Sequence, residues 1–412
     1  MDTLKIRDAK DVEQAVRAAI AAEQPLEIIG HGSKRLIGQV MATNAVLDLS
    51  ALNGVTSYEP NELIITVEAG APLADVMSLI DAKNQQFAFE PVSMAPLLGA
   101  PGQGTIGGMI AAGLAGPRRI KAGGVRDHLL GAHAVSGFGE SFKTGGRVVK
   151  NVTGYDLCKL LAGSWGTLAV MTEVTLKVMP RPEVERTLVL RGLDDIAANR
   201  AMTAALGSPF DVSGAAHVPA SALRGEVAGL GKLGSPREAL TLLRIEGILA
   251  SASRRSAALG ETLKPFGTAQ ILEDAASAEV WRAIRDVQPF AIDGPLGDWP
   301  VWRIVCPPAS GGALGKALAR DTGGDVIYDW GGGLIWAAVP PSPGAQAATL
   351  RRQIDSAAGH ATLIRGSEQV RREVDVFHPQ PPELAKLSER VRNSFDPKRI
   401  FNRGRRLREE AV

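Results

Sequence analysis

The stretch EPVSMAPLLGAPGQGTIGG, Glu90 to Gly108, constrains the fold more than any other part of the chain. Gly102–Gly107 reads G-x-G-x-x-G, the spacing used by the first turn of nicotinamide-dinucleotide folds. That turn requires a buried parallel strand running straight into the first glycine. Pro91, Pro96 and Pro101 stand where the strand should be, and each lacks the N–H that a central strand must donate. The acidic partner expected further on fails too, because Asp127 follows Gly-Gly-Val-Arg and ends no clear strand. The motif is a glycine loop in some other architecture.

Three more glycine-rich blocks accompany it: GHGSKRLIG at Gly30–Gly38, TGGRVVKNVTGYDL at Thr144–Leu157 and GSWGTLAV at Gly163–Val170. The first lacks the G-K-[ST] order of a Walker loop. Glycines let the main chain approach a ligand and aim several N–H groups at one point. One such loop is an ordinary tight turn; four in one chain point to a nucleotide held between two lobes.

The periodicities supply those lobes. Asp11–Ala22 reads as a helix, Leu26–Ile29 and Ala45–Leu49 as strands, Val55–Tyr58 and Leu63–Val67 as a strand pair, and Ala71–Lys83 as a second helix. Together they predict a first lobe over about residues 1–90. A helix at Thr105–Leu114, a strand at Leu129–Ser136, a helix at Asp156–Ala162 and the alternating strand Thr167–Val178 predict a second lobe over about 104–180. Residues 181–375 loosen into mixed helical and strand pieces with no visible repeat, as expected of a separate cap. Residues 376–412 form a closing segment, with a helix from Pro382 followed by FDPKRIFNRGR.

Composition removes several function classes. The net charge of +2 on 412 residues gives no electrostatic reason to bind nucleic acid. Cys158 and Cys306 are the only cysteines and stand far apart, which leaves no ligand set for an iron–sulfur cluster or a cysteine zinc site. The N-terminus has no apolar stretch of the signal-peptide kind, and no uncharged run reaches membrane-spanning length, so a cytoplasmic protein is predicted. The basic run from Lys398 to Arg408 reads either as a solvated tail or as a docking surface.

Taken in order, Ile28–Gly38, Pro101–Gly108, Gly123–Asp127, Thr144–Leu157, Gly163–Pro180 and Phe395–Arg405 resemble the vanillyl-alcohol-oxidase (PCMH-type) FAD-binding fold. More narrowly, GGRVVKNVTGYDLCKLLAGSWGTLAVMTEVTLKVMPRP and the pair VFHPQPP and FDPKRIFNRGR resemble the FAD-binding subunit of bacterial glycolate oxidase complexes. The resemblance implies an α+β protein, a PCMH-type two-lobed FAD-binding domain plus an α+β cap domain. It implies non-covalent FAD with its diphosphate between the lobes. Gly30, His31, Gly32, Ser33 and Lys34 would form the first phosphate loop, and Pro101, Gly102, Gly104, Thr105, Gly107 and Gly108 the second. The start of the helix at Thr105 would add a positive dipole end. Ser164, Gly166 and Val170 map to the adenine side; Asn151, Gly154, Tyr155 and Asp156 map towards the flavin, although Asp156 also reads as a helix cap.

The family further implies a complex with a related catalytic flavoprotein and an iron–sulfur subunit, acting on a small 2-hydroxy acid. Any contact with the inner membrane would come through that complex. Catalytic residues are not legible. None of the six histidines forms the paired cap motif of related metal-using enzymes, so no metal is expected, and the arginines are too many to single out a carboxylate anchor. A stand-alone 2-hydroxy-acid dehydrogenase and a structural subunit with a vestigial flavin site remain open as alternatives.

Overall fold

The computed structural model describes residues 2–147, 155–225, 227–231, 233 and 238–407. The N-terminal lobe is a parallel sheet of β1 (Asp2–Lys5), β2 (Leu26–Ile29) and β3 (Ala45–Asp48), in the order β1-β3-β2, with α1 (Ala9–Ala22) between its first two strands. Val12, Val16 and Ala19 recur at helical spacing and bury one stripe of α1. Asp8 caps that helix by accepting the Asp11 N–H at 2.9 Å. The parallel crossover leaves the C-terminal end of β2 opening into the Gly30 loop.

The second lobe is antiparallel. It comprises β4 (Val55–Glu59), β5 (Ile64–Glu68), β6 (Leu129–Ser136), β7 (Ser141–Gly145) and β8 (Ala169–Lys177), in the order β4-β5-β8-β6-β7. Helices α2 (Leu73–Asp81) and α3 (Ile106–Ala112) bury their apolar sides in the core of this sheet. The lobe boundary expected near residue 90 does not follow the hydrogen bonding. β5 pairs with β8 from Ile64 opposite Lys177 to Glu68 opposite Glu173, so the first hairpin and α2 belong to the second sheet. No strand leads into Gly102; residues 87–101 run as loop with one helical turn at Ala95–Leu98. Asp127 serves the backbone, its Oδ2 accepting the Gly124 N–H at 2.8 Å.

The cap holds a repeat that the sequence hid. Strand β9 (Val184–Arg191), α4 (Asp195–Leu206), β10 (Val212–Val218), β11 (Leu240–Gly247), α5 (Leu249–Thr262) and β12 (Gln270–Glu273) form one βαββαβ unit, followed by α6 (Asp274–Arg285). Strand β13 (Val301–Val305), α7 (Gly311–Thr322), β14 (Asp325–Asp329), β15 (Leu334–Ala338), α8 (Ala347–Ser356) and β16 (His360–Arg365) form the second. The combined eight-stranded sheet runs β12-β9-β11-β10-β14-β15-β13-β16, so each unit has ferredoxin-like order and the two join edge to edge at His217 opposite Tyr328. Joining them this way removes an exposed edge from each. One sheet face packs on the cap helices and the other on Leu97, Leu98 and Leu114 of the N-terminal part.

The chain closes with α9 (Pro382–Phe395) and a return to the first lobe, where Asn402 N–H donates to Leu26 O at 2.9 Å. No helix among the described residues is long and apolar enough to cross a membrane.

Candidate functional site

The two lobes and the C-terminal return meet at a cavity with about 740 Å³ of empty space, its open mouth included. The end of β2 and the loop after it supply Gly30, His31, Gly32, Ser33 and Lys34. The start of α3 supplies Thr105, Gly107 and Gly108, and the turn before β8 supplies Trp165 and Gly166. Asn402 and Arg405 reach in from the C-terminal return. Leu49, Ala69, Ala169 and Met171 make the apolar wall.

The loops touch where glycine is required. A Cβ on Gly30 would lie 2.5 Å from Thr105 Oγ1. One on Gly104 would lie 2.2 Å from Ser33 Oγ, and Gly104 also has φ of +88°. Leu73 N–H donates to Gly104 O at 2.9 Å, which fixes the second loop to α2. Among the described residues, the main-chain N–H groups of Gly30 to Lys34 and of Gly102 to Thr105 donate to no partner. The first run lines the cavity, and the second reaches it at Thr105 with Gly104 packed against Ser33, so successive free donors of the first loop form an anion cradle with Thr105 beside it.

The helix end contributes less than expected. Ile106 and Gly107 donate to Ala71 O and Ala69 O, and Gly108 donates to Thr105 Oγ1 at 3.2 Å, so its first-turn donors are already used. Buried cations take their place. Among the described residues, Lys34 Nζ has only Ser33 Oγ, at 3.3 Å, as a hydrogen-bond partner. Arg405 gives one N–H to Lys34 O at 2.7 Å, while its buried Nε has no partner among the described residues. Neither is ion-paired with a described carboxylate, because the neighbouring Glu27 is engaged by Arg35 at 2.5 Å. Burial, and then the Arg405 charge, pulls the Lys34 ammonium down to about 8. Burial likewise pulls Arg405 down to about 10. Two such cations beside two donor loops fit a bound diphosphate.

A pH dependence follows. A bound diphosphate restores the Lys34 charge, so its pKa is higher in the complex than in the free chain. The affinity it contributes is complete below pH 8 and is lost as pH rises through the window towards 10.5. FAD affinity is expected to be flat from pH 6 to 7.5 and then to fall, with a limit of about tenfold per pH unit. Calorimetry in buffers of different ionisation heat should register proton uptake on binding above pH 8. Affinity that stays level to pH 10 would remove Lys34 from the diphosphate site.

The remaining expected residues divide. Pro101 and Gly102 sit on the same loop as Gly104. Ser164 faces a different cleft, bounded by Leu160, Phe377 and Leu387. Val170 points into the first lobe's core beside Leu26 and Phe401, because strand alternation gives the cavity its neighbours Ala169 and Met171 instead. Tyr155 is 90% exposed, and Asp156 caps nothing: the one-turn helix Cys158–Leu161 starts from Leu157 without a side-chain cap. Asn151 and Gly154 lie outside the described residues.

The cavity residues that were not anticipated include Trp165, Asn402 and Arg405. Asn402 is fully engaged, its Oδ1 accepting Ile28 N–H at 2.8 Å and its Nδ2 donating to Trp165 O at 2.8 Å. It holds Trp165 at φ of +58°, a strained position for a bulky residue, and ties both lobes to the C-terminal return. The signal available was FDPKRIFNRGR itself, whose asparagine and last arginine are these residues.

This arrangement, two lobes with facing glycine loops under an antiparallel cap sheet, defines a PCMH-type FAD-dependent oxidoreductase. The FAD binding domain family matches residues 3–145. p-Cresol methylhydroxylase with substrate bound superposes with a TM-score of 0.73 at 14% identity, over 99% of this chain and 88% of that one. An alkyldihydroxyacetonephosphate synthase gives 0.68 at 16% identity, over 97% and 76%. Glycolate oxidase subunit GlcE of Escherichia coli (strain K12) is 30% identical over 397 residues, 95% of each chain. Glycolate oxidase subunit GlcD of Bacillus subtilis (strain 168) is 33% identical over 173 residues, 41% of this chain and 35% of that protein. The chain belongs to the GlcE family of glycolate oxidase subunits.

Proposed function

We propose that the chain is the FAD-binding subunit of a glycolate oxidase complex, supporting oxidation of glycolate to glyoxylate by passing electrons through its flavin. The 30% identity to a GlcE subunit over 95% of both chains carries this reading. The cavity supports it with two buried cations that no described carboxylate pairs, beside two donor loops. FAD supplies the hydride acceptor. The chain's own task is to grip the diphosphate with Lys34, Arg405 and the Gly30–Lys34 and Gly102–Thr105 main chain, and to keep the adenosine half out of water against Trp165 and Met171.

The reading divides the chain into an FAD-binding part (about 1–180), a substrate-side cap (181–375) and a return segment (376–412). It places a related flavoprotein subunit and an iron–sulfur subunit beside it, since Cys158 and Cys306 are buried, separate thiols. The purified chain is expected to show flavin absorption bands with one FAD per chain. Anaerobic glycolate should bleach them once the partner subunits are added. Bleaching of the isolated chain would favour a stand-alone dehydrogenase, and a colourless chain that FAD cannot reconstitute would end the proposal.

A further inference from the structure

Arg303 stands where the fold should hold an apolar residue. It lies on β13 between Val301 and Val305, on the face of the cap sheet that packs towards the FAD-binding part. Its cross-strand neighbours are Trp336 on β15 and Thr362 on β16. A second arginine comes to the same place from the other side: Arg119, in the one-turn helix Arg119–Ala122 that follows α3. Both guanidiniums lie against the Trp330 ring, with Arg119 Cζ 4.5 Å and Arg303 Cζ 5.1 Å from its centroid. Trp330 is itself fixed across the boundary, its Nε1 donating to Gly116 O at 3.0 Å. The two cations therefore stand less than about 10 Å apart, within one screening length.

Neither is neutralised by the described residues. No described carboxylate lies within ion-pairing distance of either. Asp329, the acid that acts on Arg303, uses Oδ1 to accept the Trp330 N–H at 2.7 Å, and burial holds its carboxyl up at about 7. His360, across from Val305 on the same sheet face, adds no negative charge; burial and then Arg303 hold its imidazole on the neutral side. Burial, and then the Arg119 charge, lowers the Arg303 pKa to about 10. Arg119 is exposed and gives the pair its solvent side, while Arg303 is partly covered with its guanidinium buried. Along the sheet, Thr362 bridges to Phe377, whose ring lies 5.6 Å from Trp165 at the FAD cavity.

We propose that Arg119 and Arg303, converging on Trp330 from the two sides of the domain boundary, form a subsite for the carboxylate of a small organic acid. This deepens the glycolate-oxidase reading and rests on it, since it gives the 2-hydroxy acid an anchor in this chain. Guanidinium donors grip a carboxylate with paired, charge-assisted hydrogen bonds, and desolvation against an indole face strengthens them. The Trp330 ring meanwhile shields the two cations when the site is empty.

Oxalate, a non-oxidisable carboxylate of similar size, is the probe. Titrated calorimetrically into the FAD-loaded chain, it should bind saturably in 0.1 M chloride. R303Q and R119Q should each weaken it by about 10- to 100-fold, and R303K should recover part of the loss. Flavin content and melting temperature, read on the same samples, show that each variant is folded and loaded. Arg119 is exposed, so R119Q provides the test even where R303Q disturbs the sheet. Absence of oxalate binding by the FAD-loaded wild type overturns the subsite. Binding by R119Q and R303Q as tight as that of the wild type overturns it as well. Failure to load FAD would instead count against the underlying cofactor reading.

Discussion

Replacing Glu90 with glutamine is expected to lower the melting temperature by on the order of 10 °C, from a loss of about 3–5 kcal/mol. Glu90 lies at the boundary between the FAD-binding part and the cap, where it accepts two hydrogen bonds at 2.9 Å from Arg244 and the Arg118 N–H at 2.6 Å. Arg244 has no solvent exposure and sits over Trp281, 4.6 Å from the ring centroid. Glu185 and Glu246 complete the cluster. Burial works against the Glu246 anion, yet Arg244 and Arg118 hold its carboxyl down at about 2. Burial instead wins at Glu185 and raises it. Removing the Glu90 charge leaves Arg244 facing one firmly ionised carboxylate in place of two. The exposed pair Arg372–Glu368 is the matched control, and R372A should change stability by less than about 1 kcal/mol. Thermal melts followed by tryptophan fluorescence would measure both. An E90Q chain that melts within about 2 °C of the wild type would show that the buried cluster does not hold the two parts together.

What could be read from the sequence was local. The strand Leu129–Ser136 was legible to its end residues because apolar positions and flanking polar ones mark it within a few residues. The GHGSKRLIG loop and Thr105 were legible for the same reason, since a turn or a cap is written next to the backbone it serves. The lobe boundary was not, because β5 finds its partner β8 more than a hundred residues later and nothing near Ile64 announces it. The cap repeat was hidden because its two units share strand order but little sequence: the matching helices read DIAANRAMTAAL and GGALGKALARDT. Arg405 and Asn402 show the limit most clearly. They complete a cavity begun at Gly30, and only tertiary pairing of Asn402 with Leu26 and Ile28 brings them there. Arg303 was one arginine among many until the sheet placed it on an apolar face.

Substituting Gly104 with valine is expected to weaken FAD binding by roughly 100-fold or more, leaving a chain that loses its flavin on gel filtration. Two costs combine at this position. Its φ of +88° is unfavourable for a β-branched residue, at about 1–3 kcal/mol. The new Cβ also meets Ser33 Oγ at 2.2 Å and Ser33 Cβ at 3.2 Å, so either the Ser33 hydroxyl turns away and gives up Lys34, or the two loops separate. Overpacking of this kind adds about 1–3 kcal/mol. Gly102 separates the two contributions. It has φ of +64°, but a Cβ there would meet nothing within 4 Å, so G102A carries the strain alone and should cost about tenfold or less. The ordering matters more than either number. If the first loop and the second jointly hold a diphosphate, closing the gap between them must hurt more than stiffening one loop in open space. Flavin-to-protein ratios after gel filtration, with circular dichroism to confirm folding, would give that order. A G104V chain that keeps its FAD, or a G102A chain that loses it more readily, would mean that the loops do not close on a common ligand.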